Sequence, residues 1–182
     1  SIKGADDRNW FPTTDNVIDL TAQSSFWGYY TKPGNWQFSL VEPWFAAYNP
    51  GQRTGYAFLF DFNTLSAAYG ANDMKTRGVL FDGGMLPAGA TIVVKTVVRE
   101  LKGLSSLATV NDKFAAGFSG PEEAPVLEVL SFEDQEISGR AAQTDVNGKE
   151  LGAVEVKPAA FKAGEARGVA TVKSAKPETQ SV

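Results

Sequence analysis

The sequence contains no histidine and no cysteine. Without histidine, the usual serine-hydrolase triad is excluded. Without cysteine there are no disulfides, no thiolate nucleophiles and no zinc–thiolate sites. No run of about 18 apolar residues occurs, so no membrane-spanning helix is expected. Positive charge is not in excess either. The net charge of −4 argues against non-specific binding to nucleic acid or anionic membranes. The glycines at Gly28, Gly51, Gly70 and Gly83-Gly84 do not form a phosphate-binding loop ahead of a helix. These absences remove the commonest tools of catalysis. The chain is expected not to be an enzyme, and no residue is assigned a catalytic or cofactor-binding role.

What is present is material for a core. The 182 residues are 43% hydrophobic and 12% aromatic, which suits one domain with an extension or two small units. The aromatic residues are unevenly placed: 15 of the 21 lie between Trp10 and Phe62, including all four tryptophans. Residues 1–99 carry eight acids and eight bases, and residues 100–182 carry thirteen acids and nine bases. The front is neutral and core-building, and the back holds the negative balance. A boundary is expected near Gly103.

Period-2 alternation dominates the front. Trp36, Phe38 and Leu40 alternate with Asn35, Gln37 and Ser39, the pattern of a half-buried strand. Phe26–Tyr30 reads as a second strand. Lys32-Pro33-Gly34-Asn35 between them fits a type II turn, which predicts a hairpin. Tyr56, Phe58, Phe60 and Phe62 form an aromatic stripe, with Ala57, Leu59 and Asp61 opposite. Burying such rings is worth roughly 1.5–3 kcal/mol each, so this strand is placed at the centre of the core. Val17–Leu20 and Gly78–Phe81 are shorter strand candidates. A turn at Leu86-Pro-Ala-Gly-Ala90 feeds the β-branched run Thr91–Val98, read as one long strand over about 90–102. Short strands with turn signals at this spacing predict an antiparallel sandwich or barrel over residues 1–103.

Past Gly103 the texture changes. Residues 104–118 read as a connector. Ser119-Gly-Pro-Glu122 has capping-box spacing, and Val126, Leu127, Leu130 and Ile137 share one helical face. One acidic helix is therefore expected over 122–137, within a segment 104–138. Residues 139–182 are expected to be an extended segment. In it, Gly152–Lys157 and Gly168–Lys173 are two short, weakly similar strands, and Asn147-Gly148 favours a tight turn.

Few residues nominate chemistry. Asp6, Asp7, Asp15 and Asp19 could offer oxygen ligands to a hard cation such as structural calcium, although turn and cap roles are commoner for such carboxylates. The metal question stays open on sequence. Asp61 could serve as a general acid if buried, but more often such a residue lies at the surface or pairs with a base such as Arg53 or Lys95. Trp44-Phe45-Ala-Ala-Tyr48 after Glu42-Pro43 could be an exposed aromatic platform, and core packing is the commoner role. With Trp27, that platform supports the alternative reading, a secreted carbohydrate-binding module.

The order of elements after Asp82 carries a resemblance: a Pro-Ala-Gly-Ala turn, a long β-branched strand, Glu100-Leu101, a connector and Phe118-Ser-Gly-Pro-Glu-Glu-Ala-Pro-Val-Leu-Glu-Val-Leu130. This stretch, about 78–138, resembles the jelly-roll coat proteins of small icosahedral RNA viruses, particularly the nodavirus-like ones. Ser1–Gly4 is similar to a short stretch in the middle of such subunits. The resemblance implies a capsid subunit of the virion that self-assembles into an icosahedral shell. It implies partners that are copies of itself and other capsid chains, and contact with viral RNA only indirectly. It also implies that this chain is the C-terminal half of a subunit with a companion N-terminal chain. The arginine-rich arm of that group is missing here, and no Asn–Ala bond occurs. No cleavage residue is carried over.

Overall fold

The computed structural model describes residues 8–12, 17–20, 25–29, 38–39, 41–61, 65–71, 76–81, 84–121, 123–144 and 150–172. The strands up to residue 81 are β1 (Arg8–Pro12), β2 (Val17–Leu20), β3 (Ser25–Tyr29), β4 (Phe38–Ser39), β5 (Trp44–Asn49), β6 (Thr54–Phe60), β7 (Leu65–Ala71) and β8 (Thr76–Phe81). After them come β9 (Thr96–Lys102), β10 (Thr109–Val110), β11 (Phe114–Ser119) and β12 (Val126–Ser131). The last three are β13 (Gln135–Thr144), β14 (Glu150–Phe161) and β15 (Ala166–Thr171). No helix lies among the described residues. The fold is all-β and its pairing is antiparallel except between β3 and β4.

Four sheets form. A five-stranded sheet runs β2-β1-β5-β6-β9, and the chain interleaves it with a four-stranded sheet, β4-β3-β7-β8. The back of the chain builds another four-stranded sheet, β10-β11-β12-β15, and the two-stranded hairpin β13-β14.

Strand alternation tells each face where to go. On β1 and β5, Trp10, Trp44, Ala46 and Tyr48 share one core with Ala57, Leu59 and Leu101 of β6 and β9. Val110, Ala115 and Leu130 of the back sheet, with Leu104 and Leu107 of the connector, close that core. This is a sheet-on-sheet sandwich. The back sheet is also buried on its other side. There Ala116, Leu127 and Val129 meet Val156 and Phe161 of the hairpin and its end.

Several expectations are corrected. Residues 122–137 do not form the expected helix: β12 and β13 occupy this span, and Gly120 (φ 82°) turns the chain between β11 and β12 in place of a capping box. β12 is buried on both faces, so its apolar residues run almost continuously. Such a run lacks alternation and imitates one side of a helix. The expected hairpin at 26–40 is not formed either. β3 and β4 pair in parallel, Gly28 against Phe38 and Tyr29 against Ser39, which a tight turn cannot connect. The turn at Lys32–Asn35 lies outside the described residues.

The aromatic stripe of β6 points away from the sandwich core. Ala57 and Leu59 fill that core, while Phe58 and Phe60 are half-buried and Tyr56 is exposed. The reason is size. Trp44 and Tyr48 of β5 already occupy the core side, and across from them stand Leu59 and Gly55. A Cβ at Gly55 would sit 2.2 Å from the Ala47 carbonyl oxygen, so glycine permits this large-opposite-small packing. On the other face, Phe45 stacks on Phe11, Phe58 and Phe60 at centroid distances of 5.7, 4.9 and 5.6 Å. Phe81 of β8 meets Phe60 edge-on. Phe62 lies outside the described residues.

The long strand expected over 90–102 is shorter. β9 begins at Thr96, and residues 91–95 pair with no strand among the described residues. Of the two short C-terminal strands expected, one lies within β14, a twelve-residue strand paired to β13, and the other overlaps β15, which completes the back sheet beside β12. Asn147-Gly148 falls in the β13–β14 connection, outside the described residues.

Candidate functional site

The residues that sequence singled out for chemistry do not converge. Trp44 and Tyr48 are fully buried in the sandwich core. The Trp44 indole Nε1–H donates to Glu42 at 2.7 Å, and Thr109 donates to the same carboxylate oxygen at 2.8 Å. The Tyr48 hydroxyl donates to the Leu104 carbonyl. These rings are therefore core and not an aromatic platform. The Trp27 side chain lies outside the described residues. Asp61 is exposed at the end of β6 and lacks the burial a general acid would use. Asp6, Asp7 and Asp15 lie outside the described residues, and Asp19 stands opposite Trp10 in the β1–β2 register. Among the described residues, no group of three or more acids is placed to hold a metal ion. Among the described residues, no helix is long and apolar enough to cross a membrane.

Arg53 does not pair with Asp61. Its guanidinium donates to Glu128 of β12 at 2.9 Å and to the Gly103 carbonyl. Glu128 is nearly buried and also accepts from the Ser105 amide at 2.6 Å and the Ser105 hydroxyl at 3.2 Å. Both oxygens of this carboxylate accept from donors outside the back sheet. The cluster braces the fold. Its members are far apart in sequence, so no local pattern could have announced it.

The feature that stands out is a surface. From Gly84 to Thr96 every residue is exposed. The segment opens with a turn in which the Ala90 amide donates to the Pro87 carbonyl at 3.0 Å and Gly89 takes a positive φ of 82°. This has the form of a type II turn, whose third residue favours glycine. Beyond it, Ile92, Val93 and Val94 project into solvent, Val93 being 85% exposed. Met85 is 99% exposed, and Val98 on β9 is 53% exposed.

β9 carries this ribbon into the five-stranded sheet. Its inner side is anchored: Leu101 is buried, and Arg99 donates to the Asp112 carbonyl at 2.8 Å and lies 5.4 Å from the centre of the Phe132 ring. One backbone edge pairs with β6 from Thr96 to Lys102. The other edge has no strand partner among the described residues. β9 shows Thr96, Val98, Glu100 and Lys102 to solvent, and a strand with an open edge is a template for another strand. Sequence found the β-branched run but did not show that its first residues stand in solvent.

Compared with family models, curated proteins and solved structures, the chain matches none.

Proposed function

We propose that this protein is a structural subunit that works by associating with copies of itself, as a jelly-roll coat protein of a small icosahedral virus does. The observation that carries this reading is the exposed ribbon Met85–Val98 joined to the open edge of β9. Soluble proteins manage such edges by covering, charging or twisting them. β9 itself carries Arg99, Glu100 and Lys102, but the exposed Thr91–Val94 ahead of it carries no charge, no proline and no glycine, and a protein partner is its natural cover. The convergence of core, bracing ion pair and hydrogen bonds on a firm sandwich supports a scaffold role. On this reading the site of action is the virion, and RNA is reached through other coat chains.

Sedimentation velocity and electron microscopy test the proposal across protein concentration, salt, calcium and pH. The expected result is concentration-dependent association into closed assemblies or their small building blocks. A protein that stays monomeric at every condition overturns it. The carbohydrate-binding alternative is not advanced, because two of the three rings it relied on lie in the core.

A further inference from the structure

A cleft of about 270 Å³, open to solvent along the exposed Ser138, Gly139 and Arg140, lies between the back sheet and the β13–β14 hairpin. Phe114, Phe118 and Val129 line it from the sheet, and Ile137, Gly139 and Val156 line it from the hairpin. Two features of the backbone and sequence create the room. First, the register slips between Ile137 and Gly139, so that Lys157 and Pro158 stand against Ser138 alone. A bulge of this kind bends its strand away from its neighbours, and Pro158 suits the interrupted ladder because it has no amide hydrogen to donate. Second, small residues stand among the large ones that line the gap. Ala116 on the sheet and Ala141 on the hairpin leave space, and a Cβ built on Gly139 meets nothing within 4 Å.

The chemistry of the walls is one-sided. The lining is mostly carbon, and its polar side chains are Thr109, Ser138 and Arg140. Water needs two to four polar partners to settle in such a space, and these walls offer few. Nor does the cleft call for an anion. Arg140 is ion-paired with Glu150, and Glu155 stands 3.8 Å from its Nε. Its charge is already matched.

We propose that this cleft is a binding site for a small, neutral, largely hydrocarbon molecule. Its size sets the class. An apolar protein cavity of about 150 Å³ admits benzene, so 270 Å³ has room for a fused bicyclic ring or about ten carbon atoms. The two phenyl rings on the floor favour a flat aromatic guest that packs offset or edge-on. This site is independent of the ribbon on β9 and of the assembly reading.

The test uses the full chain and 5-fluoroindole, a neutral bicyclic probe, followed by fluorine NMR. The expected result is a saturable shift with a dissociation constant on the order of 0.1 mM. Ala116→Phe, which fills the gap with a ring, is expected to weaken binding at least tenfold and to raise the melting temperature. Where circular dichroism shows that Ala116→Phe does not fold, Ala141→Leu replaces it on the half-exposed hairpin face. Naphthalene-2-sulfonate is the charged comparison and is expected to bind more weakly than the neutral probe. A wild-type protein without a saturable shift overturns the proposal. So does equal binding by the filled variant, and so does tighter binding of the sulfonate.

Discussion

At the scale of single residues, two buried polar groups hold the sheets together, and each makes a measurable prediction. Glu128 receives Arg53 and both donors of Ser105. Breaking a buried ion pair costs 3–5 kcal/mol when both partners are desolvated. The Arg53 side chain is 48% exposed, so solvent recovers part of that. Glu128→Ala is therefore expected to lower unfolding free energy by about 2–3 kcal/mol in urea titrations, with Glu128→Gln costing less because it keeps acceptor capacity. Tyr48 supplies the second prediction. Burial pushes its phenol up from 10 to about 12, although Arg53 pulls the other way. In the folded protein the phenol keeps its proton at a pH where the unfolded chain has released it. The stabilisation is complete below pH 10 and is lost as pH rises from 10 to 12. Tyr48→Phe removes the hydrogen bond to Leu104 and leaves a buried carbonyl unpaired, a cost of about 1–3 kcal/mol. Measured at pH 8, wild type is expected to exceed the variant by that amount. By pH 11.5 the gap is expected to have narrowed, and a gap that widens with pH refutes the assignment.

At the scale of elements, β9 makes the sharpest statement. If two copies pair through this edge around a two-fold axis, residue i stands opposite residue j with a constant sum. Side chains keep to the same face only when the axis passes through a residue. Axes at Lys95, Arg99, Glu100 or Lys102 place like charges opposite each other, and an axis at Val97 sets Arg99 against Lys95; such pairs are destabilising. An axis at Thr96 avoids direct like-charge pairs, sets Val94 against Val98 and uses the whole stretch from Ala90 to Lys102. The chain has no cysteine, so Thr96→Cys introduces a lone thiol whose copy would lie within disulfide reach across that axis. Rapid oxidation to a covalent dimer is expected for Thr96→Cys and not for Val93→Cys. Val93→Lys combined with Val98→Lys is expected to weaken association at least tenfold in sedimentation without unfolding the sandwich, because both side chains point into solvent. The same strand shows what sequence can tell. Its β-branched run and turn were legible, and so were β2 and most of β8, because local backbone preference decides them. What failed depended on neighbours. The stripe on β6 was legible as a stripe, but which side faced the core was set by Trp44 and Tyr48 on β5. β12 read as helix because burial on both faces erases the alternation that marks a strand. The ribbon's exposure was not legible because apolar composition does not reveal an absent neighbour.

At the scale of the whole molecule, the question is whether the front and back of the chain stand apart. The change of composition near Gly103 coincides with the point where the chain leaves the five-stranded sheet, and Gly103 takes a positive φ of 82° there. The core runs straight through that point. Leu130, contributed by the back sheet, packs in one cluster with Trp10 and Trp44 from the front. The Tyr48–Leu104 and Arg53–Glu128 bonds cross the same divide. A shared core of this kind couples the two halves into one cooperative transition. The tryptophans make the coupling observable, since all four lie in the front. Leu130→Ala removes a buried side chain from the back half and is expected to cost about 2–5 kcal/mol. The midpoint followed by tryptophan emission is expected to fall together with the midpoint followed by far-ultraviolet circular dichroism, and by the same amount. Two independent halves would leave the emission midpoint where it was, because no tryptophan belongs to the half that was cut.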